Sequence, residues 1–233
     1  MAAAPPESRS PVLPPLIPAP YASYYLAVEG LCLFGGLPAV LFLVRSSLSH
    51  LIIPLLLLFA VGCGTLLWAD RAFSASNAWG PLPTGDPLRR VVHRLAIGGG
   101  LLTLGMAVWS PELLGAFVRE RPVIWALLMI VYPLLSVYPQ ELIFRAFLFH
   151  RYAPLLPSAT AKIMASAGAF GWAHVVFGNW TAPLLSAAGG LLFALTYART
   201  GSLRLAAVEH ALWGGLIFSV GLGRYFYSGA IPA

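Results

Sequence analysis

The sequence predicts an all-α fold, a multi-pass transmembrane helical bundle of about seven spans. Three observations lead to this prediction: 59% of the 233 residues are hydrophobic, only 9% are charged, and the mean hydropathy is +0.81. A chain this apolar differs from an ordinary soluble domain, so we expect lipid to surround most of it. We therefore interpret the chain as an integral membrane protein whose first partner is the membrane lipid bilayer.

Apolar windows of span length follow one another along the chain. A helix needs roughly 20 mostly apolar residues to cross the hydrocarbon core. Windows near this length lie at 22–44, 51–69, 95–109, 122–139, 162–178, 182–198 and 203–222. The fourth window is predicted to continue into a helix with the sequence QELIFRAFLF.

The segments outside these windows indicate a single domain. Residues 1–20 are rich in proline and lack the basic start and apolar stretch of a signal peptide, so we predict a disordered tail. The polar segment between the second and third windows is too short and too rich in Gly and Pro to form a domain. We therefore predict one membrane domain over residues 21–233.

The basic residues predict the orientation, because Lys and Arg are held on the cytoplasmic side. With a cytoplasmic N-terminus, ten of the 14 basic residues lie on that side: Arg9, Arg71, Arg89, Arg90, Arg94, Arg145, Arg151, Lys162, Arg199 and Arg204. This bias explains the net charge of +6 without a nucleic-acid partner. Since Arg exceeds Lys and Ala, Gly and Pro are frequent, the composition resembles that of a high-GC bacterium, whose plasma (inner) membrane would hold the protein.

Few ionisable residues lie inside the predicted spans. An ionisable side chain there costs about 2.5–3.5 kcal/mol at the helix centre and is by default a functional-site hypothesis. The acids are Glu29, Glu141 and Glu209, and two histidines, His174 and His210, also lie in apolar sequence. Glu29 is only about two turns into the first span, so we expect it to have a structural role near the interface.

Each of these residues also has a structural explanation. Glu141 and Arg145 are four residues apart on one helix face and could simply neutralise each other. His174 could donate to a backbone carbonyl, and Glu209 with His210 could form a hydrogen bond between helices. Their occurrence together on different helices, with little other buried charge in the chain, favours a functional site.

A carboxylate and two histidines in a water-accessible cavity suffice for hydrolysis. The carboxylate can act as general base, one imidazole can orient the water, and the other can stabilise the oxyanion. No cofactor is then required, although Glu141, His174 and His210 could instead bind zinc. Other protease signatures are absent from the sequence: it contains no His-Glu-x-x-His and no Gly-x-Ser-x-Gly, and its only two aspartates lie in or beside one loop.

Three short motifs resemble those of a known family. They are Gln140-Glu141-x-x-x-Arg145, Phe170-x-x-x-His174, and His210 four residues before Gly214. In this order they resemble the Glu-Glu-x-x-x-Arg, Phe-x-x-x-His and His-x-x-x-Asn motifs of the CAAX-processing and bacteriocin-processing (CPBP) membrane proteases. The resemblance covers about residues 122–222 and implies a four-helix catalytic core in the C-terminal half.

The resemblance implies an intramembrane endopeptidase of the glutamic or metalloprotease type. By position, His174 would assist water activation, His210 would help hold the oxyanion, and Arg145 would support the acidic pair. Two departures are visible: Gln140 stands where the family has its first glutamate, and Gly214 where it has asparagine. Either Glu141 serves as base, or Glu209 enters the cavity and replaces the lost carboxylate, or the protein is a non-cleaving relative.

Two alternative functions and the kind of substrate remain open at this point. A non-catalytic relative would act as an immunity or scaffold protein, while a proton-coupled transporter is disfavoured by the lack of a convincing internal repeat. For an endopeptidase, a membrane-anchored substrate fits, such as a prenylated C-terminus, a bacteriocin leader or a C-terminal sorting segment. The position of Glu141 and Arg145 predicts a cavity that opens toward the cytoplasmic leaflet.

Overall fold

The computed structural model describes residues 21–74, 79 and 82–226. The predicted tail, residues 1–20, lies outside the described residues. Over the described ranges the chain forms helices joined by short turns and contains no strand, which confirms the all-α class.

The helices are numbered here in chain order. They are α1 (Ala22–Leu43), α2 (Arg45–Ala69), α3 (Asp86–Trp109), α4 (Ala116–Glu120), α5 (Pro122–Arg151), α6 (Ala159–Ala173), α7 (Thr181–Thr200) and α8 (Leu203–Ser219). A 3-10 turn over His174–Phe177 extends α6, and another over Leu222–Tyr225 follows α8. Helix α5 contains two π-helical stretches, Pro133–Val137 and Leu142–Phe147.

Five helices of the described chain are long and apolar enough to cross a membrane: α1, α2, α3, α5 and α7. This finding is consistent with an integral membrane protein. The predicted spans 162–178 and 203–222 correspond to α6 and α8, which have 15 and 17 residues. These lengths are at or below the lower limit of about 17 residues for a spanning helix. Length and composition therefore support five spans and leave the predicted seven unconfirmed.

Helix α3 begins nine residues before the predicted span. Gly85 has a positive φ of 69°, Asp86 opens the helix and Pro87 occupies its first turn. A carboxylate in the first turn and an early proline both favour a helix start. The prediction placed the boundary after the arginines, but Arg89 lies on the helix and pairs with Asp86 at 2.9 Å. Charged residues at a membrane edge do not end a helix.

Small residues bring α6, α7 and α8 close to their neighbours. A Cβ atom added at Gly171 of α6 would lie 2.7 Å from the Cβ of Ala187 on α7. A Cβ added at Gly98 of α3 would lie 2.7 Å from the Trp213 ring of α8. Glycine at such contacts lets helix backbones approach closely. The packed helices surround the inner face of α5.

Ionic contacts and loop contacts define the two ends of the bundle. At one end, which we call the N-terminal end because Ala22 begins there, Glu29 accepts hydrogen bonds from Arg151 at 3.0 and 2.9 Å. This contact fits the structural role expected for Glu29. At the opposite end, the Gly115 amide donates to the Ser219 carbonyl at 3.1 Å.

Candidate active site

A cavity of about 770 Å³ lies among α5, α6, α7 and α8 and also touches α2 and α3. This volume lies within the range of roughly 300–1,000 Å³ that is usual for ligand pockets. Most of the wall is apolar. The polar groups on the wall that the sequence analysis singled out are Gln140, His174 and His210.

Glu141 lies behind the cavity wall. Its side chain is 0% exposed and does not line the cavity, whereas His210 does. The Glu141 Oε1 and the His210 Nδ1 are 2.8 Å apart. Because an ionised carboxylate only accepts hydrogen bonds, Nδ1 carries the proton and Nε2 is left for a ligand in the cavity. Glu141 therefore reaches the cavity through the imidazole of His210.

Arg145 completes this buried group. Its side chain is 0% exposed, and its Nε lies 3.1 Å from the Glu141 Oε2. Its Nη2 donates to the Gly190 carbonyl at 3.3 Å, and its guanidinium carbon lies 4.6 Å from the Phe170 ring centroid. A buried guanidinium needs a nearby anion, and Glu141 supplies it. The predicted Glu141–Arg145 pair is thus present, away from the cavity surface.

His174 presents the second imidazole to the cavity. It opens the 3-10 turn after α6, and its Nδ1 lies 2.7 Å from the Phe170 carbonyl oxygen. A carbonyl can only accept, so Nδ1 carries the proton and the Nε2 lone pair is free. The Phe170 ring contacts His174 and His210, with ring centroids 4.6 and 5.3 Å apart. The three predicted motifs therefore meet at one wall.

Gln140 lies on the cavity wall at the position of the motif's first glutamate. Its Nε2 donates to the Ser136 Oγ at 2.8 Å, one helical turn earlier. Its Oε1 is buried and has no hydrogen-bond partner among the described residues. The amide cannot accept a proton as a base, but it can bind a water molecule.

Glu209 does not line the cavity, so the structure gives no support to the alternative in which it replaces the lost carboxylate. It is 0% exposed, accepts a hydrogen bond from Thr196 at 2.5 Å and pairs with Arg94 at 3.2 Å. Adjacent residues on a helix point about 100° apart, and His210 takes the cavity side. Glu209 thus joins α8 to α7 and α3.

The predicted zinc ligands do not form a metal site in this arrangement. Among the described residues, no three His, Cys, Asp or Glu side chains are placed to hold a metal ion together. The Glu141 Oε1 and the His210 Nδ1 are engaged with each other. Glu141, His174 and His210 are donors of a type that zinc accepts, but their placement in the described structure does not form a site for it.

Comparison with known proteins finds a similarity for this part of the chain. Residues 122–216 match the model of a family described as type II CAAX prenyl endopeptidase Rce1-like. The match covers 95 of the 233 residues and shows a similarity to that family over this part of the chain. The match confirms the resemblance to the CPBP proteases and includes all three motifs. The curated proteins and the solved structures gave no match.

The structure places further residues at this cavity that the sequence did not indicate. Tyr132 and Ser136 line the cavity on the same face of α5 as Gln140. Their spacing of four residues is the available signal, because residues four apart share a helix face. Arg94 and Thr196, which hold Glu209, gave no signal, since they are distant in sequence from the motifs.

The cavity reaches the end of the bundle opposite the N-terminal end. Arg45, Asn179 and Arg224 lie there and line the cavity. Helix α1 is 22 residues long, which separates Ala22 from this end by roughly 33 Å. If the N-terminus is cytoplasmic, as predicted, the end of the cavity that these residues line lies at the other side of the membrane.

Proposed function

We propose that this protein is a membrane-embedded endopeptidase that cleaves a membrane-associated peptide with a water molecule activated by His174. One observation carries the proposal: two imidazoles lie on one cavity wall, and each is hydrogen-bonded through Nδ1 from behind. The match to a CAAX prenyl endopeptidase family supports the reaction class.

His174 is the proposed general base. Its Nδ1 proton is fixed on the Phe170 carbonyl, so its Nε2 lone pair is available to a water in the cavity. General-base catalysis by a positioned side chain contributes about 10²–10⁴-fold in rate. Gln140, on the same wall, would hold the water through its amide.

His210 is the proposed stabiliser of the oxyanion. Glu141 accepts from its Nδ1, which fixes the ring with Nε2 toward the cavity, and the carboxylate would offset the positive charge of the ring once Nε2 also takes a proton. The protonated Nε2 would then donate to the substrate carbonyl oxygen as negative charge develops there. Glu141 is thus a positioning residue in this proposal, and no longer the base.

The reaction balances with these groups. His174 Nε2 takes a proton from water while the water oxygen bonds to the carbonyl carbon, and the carbonyl π electrons move to oxygen. His174 then returns the proton to the amide nitrogen as the C–N bond breaks. The products are a carboxyl end and an amine, without a metal or cofactor.

The cavity suggests the substrate class. Its mostly apolar wall fits a lipid-modified or membrane-spanning segment, and the family name points to prenylated C-terminal peptides. A leader peptide or sorting segment with an apolar flank offers the same chemistry. We propose a peptide that enters beside an apolar anchor, with its scissile carbonyl at the wall of His174 and His210.

A second candidate is a non-catalytic relative that binds such a segment without cleaving it. The observation that favours it is Gln140, an amide on the cavity wall where the family motif has a carboxylate. The variant Gln140→Glu distinguishes the peptidase from the non-catalytic binder. A wild type that cleaves supports the peptidase, whereas cleavage that begins only with Gln140→Glu supports the binder.

The proposal is tested with purified protein in liposomes and a panel of quenched fluorogenic peptides with and without a farnesylated cysteine. We expect the wild type to cleave at least one peptide, with activity retained in a metal chelator. His174→Ala should lower kcat by about 10²–10⁴-fold. The control is His93→Ala, which changes an exposed histidine on α3 outside the cavity. Equal loss in both variants would contradict the assigned role.

A further inference from the structure

Position 214 lies on the cavity wall and carries no side chain. Gly214 and His210 both line the cavity and lie four residues apart on α8, so they share a helix face. A side chain at position 214 could donate beside the His210 Nε2. Glycine has no side chain, so a second donor would have to come from another helix.

Tyr132 of α5 occupies the space that a side chain at position 214 would fill. A Cβ atom added at Gly214 would overlap the Tyr132 hydroxyl oxygen and lie 2.7 Å from its Cζ. Real Cβ atoms essentially never come this close to another heavy atom. Tyr132 can therefore occupy its present position only because residue 214 is glycine. Any larger residue at position 214 would force Tyr132 to move.

The Tyr132 ring is held by two aromatic contacts. Its centroid lies 6.1 Å from the His210 ring and 5.4 Å from the Phe218 ring, with interplanar angles of 81° and 79°. Edge-on contacts of this kind restrict a ring's orientation. The hydroxyl is thereby held at the wall beside His210.

The Tyr132 hydroxyl is available as a donor. Tyr132 lines the cavity, and the hydroxyl makes no hydrogen bond to any of the described residues. Tyr132 is half-buried, and its hydroxyl is not among the fully buried polar atoms, so a group in the cavity can reach it. A donor without a protein partner on a reaction cavity points to a ligand atom as its acceptor.

We propose that Tyr132 is a catalytic residue whose hydroxyl donates to the substrate oxyanion, replacing the side chain that Gly214 lacks. This role rests on the proposed peptidase function. His210 and Tyr132 then form a pair of donors on adjacent helices, and both would bind the carbonyl oxygen more strongly once it becomes negative. Such donors act mainly on kcat.

The first variant is Tyr132→Phe, which removes the hydroxyl and keeps the ring contacts. We expect kcat on the cleaved fluorogenic peptide to fall by about 10²–10³-fold with a small change in KM. The matched control is Tyr138→Phe, a tyrosine on the same helix that does not line the cavity. It should keep the wild-type kcat.

A second pair of variants tests whether the side chains of residues 132 and 214 compete for the same space. Gly214→Asn alone should lose activity, because its side chain collides with Tyr132. The double variant Tyr132→Ala with Gly214→Asn removes the collision and supplies an amide donor, so kcat should recover at least tenfold over Tyr132→Ala alone. A purely structural role for Tyr132 would not give this recovery.

The outcomes separate the two proposals. A cleaving wild type, a slow Tyr132→Phe variant and recovery in the double variant support the donor role. A Tyr132→Phe variant with wild-type kcat overturns the donor role and leaves the peptidase intact. A wild type that cleaves none of the peptides overturns the peptidase proposal, and the role of Tyr132 falls with it.

Discussion

At the scale of single residues, the two buried acids near His210 have different neighbours and different roles. Glu141 contacts His210 and Arg145, so its charge reaches the cavity through an imidazole. Glu209 contacts Arg94 and Thr196, so its charge holds three helices together. Both acids are buried, so their neighbours and not their burial distinguish the acid proposed to act in catalysis from the acid proposed to join helices.

The Glu209 contacts lead to a stability prediction. Glu209→Gln should lower the free energy of unfolding by about 1–3 kcal/mol, because Arg94, whose side chain is 26% exposed, loses its anion. Thermal unfolding of the detergent-solubilised protein measures this change. Glu112→Gln, at an exposed loop position, is the control and should be neutral. Equal melting temperatures for Glu209→Gln and the wild type would refute the helix-joining role.

The sequence predicted part of the site from spacing alone. Four-residue spacing paired Glu141 with Arg145, and the motif order brought His174 and His210 to one wall. It left open a cavity role for Glu209 that the contacts do not support, because adjacency to His210 in sequence does not give a shared direction on a helix. Tyr132 is 78 residues from His210 and meets it only through packing, which no local pattern encodes.

At the scale of helices, two glycines of α6 differ in whether a neighbouring helix packs against them. A Cβ added at Gly171 would meet Ala187 and the Pro183 carbonyl, whereas one added at Gly168 would meet no atom within 4 Å. The two sites lie in one helix, three residues apart. They therefore form a matched pair for testing the contact between α6 and α7.

We expect opposite effects from alanine at these two sites. Gly168→Ala should stabilise the protein by up to about 1 kcal/mol through helix propensity. Gly171→Ala should destabilise it by about 1–3 kcal/mol, since the helices must move apart. Thermal unfolding in one detergent compares them. A stabilising Gly171→Ala would mean that the two helices pack less closely than described.

Hydropathy located the long helices well and their ends less well. Windows of apolar residues identified α1, α2, α3, α5 and α7, but the prediction ended spans at arginines and so began α3 nine residues late. Helices α6 and α8 are too short to be recognised as spans by length, yet they carry His174, His210 and Glu209 near their ends or on packed faces. Their place follows from packing against α5 and α7.

At the scale of the whole molecule, ion pairing weakens the prediction of membrane orientation from the distribution of Lys and Arg. Arg94, Arg145 and Arg151 are paired with acids inside the bundle, which leaves seven of the ten basic residues assigned to the N-terminal end. The opposite end has four: Arg45, Arg119, Arg121 and Arg224. The remaining bias still predicts a cytoplasmic N-terminus, and in that orientation the cavity end lined by Arg45 and Arg224 would lie at the other side of the membrane.

Thiol labelling tests this orientation in a variant without Cys32 and Cys63. Single cysteines at Ser46, which lines the cavity, and at Glu112 should react with a membrane-impermeant maleimide added to intact cells. A cysteine at Arg89, near the N-terminal end, should react only after the cells are opened. Labelling of Ser46 and Arg89 from the same side would contradict the arrangement of the helices, and a full reversal would place the cavity on the cytoplasmic side.

The central claim is that Glu141 acts on the reaction through His210, and its most direct test compares two conservative variants of buried acids. On the fluorogenic peptide that the wild type cleaves, Glu141→Gln should lower kcat by about 10²–10⁴-fold, because the imidazolium loses its carboxylate. Glu209→Gln, also a buried acid on the ion-paired side of α8, should keep kcat within a few fold. Wild-type kcat in a folded Glu141→Gln protein would contradict the account.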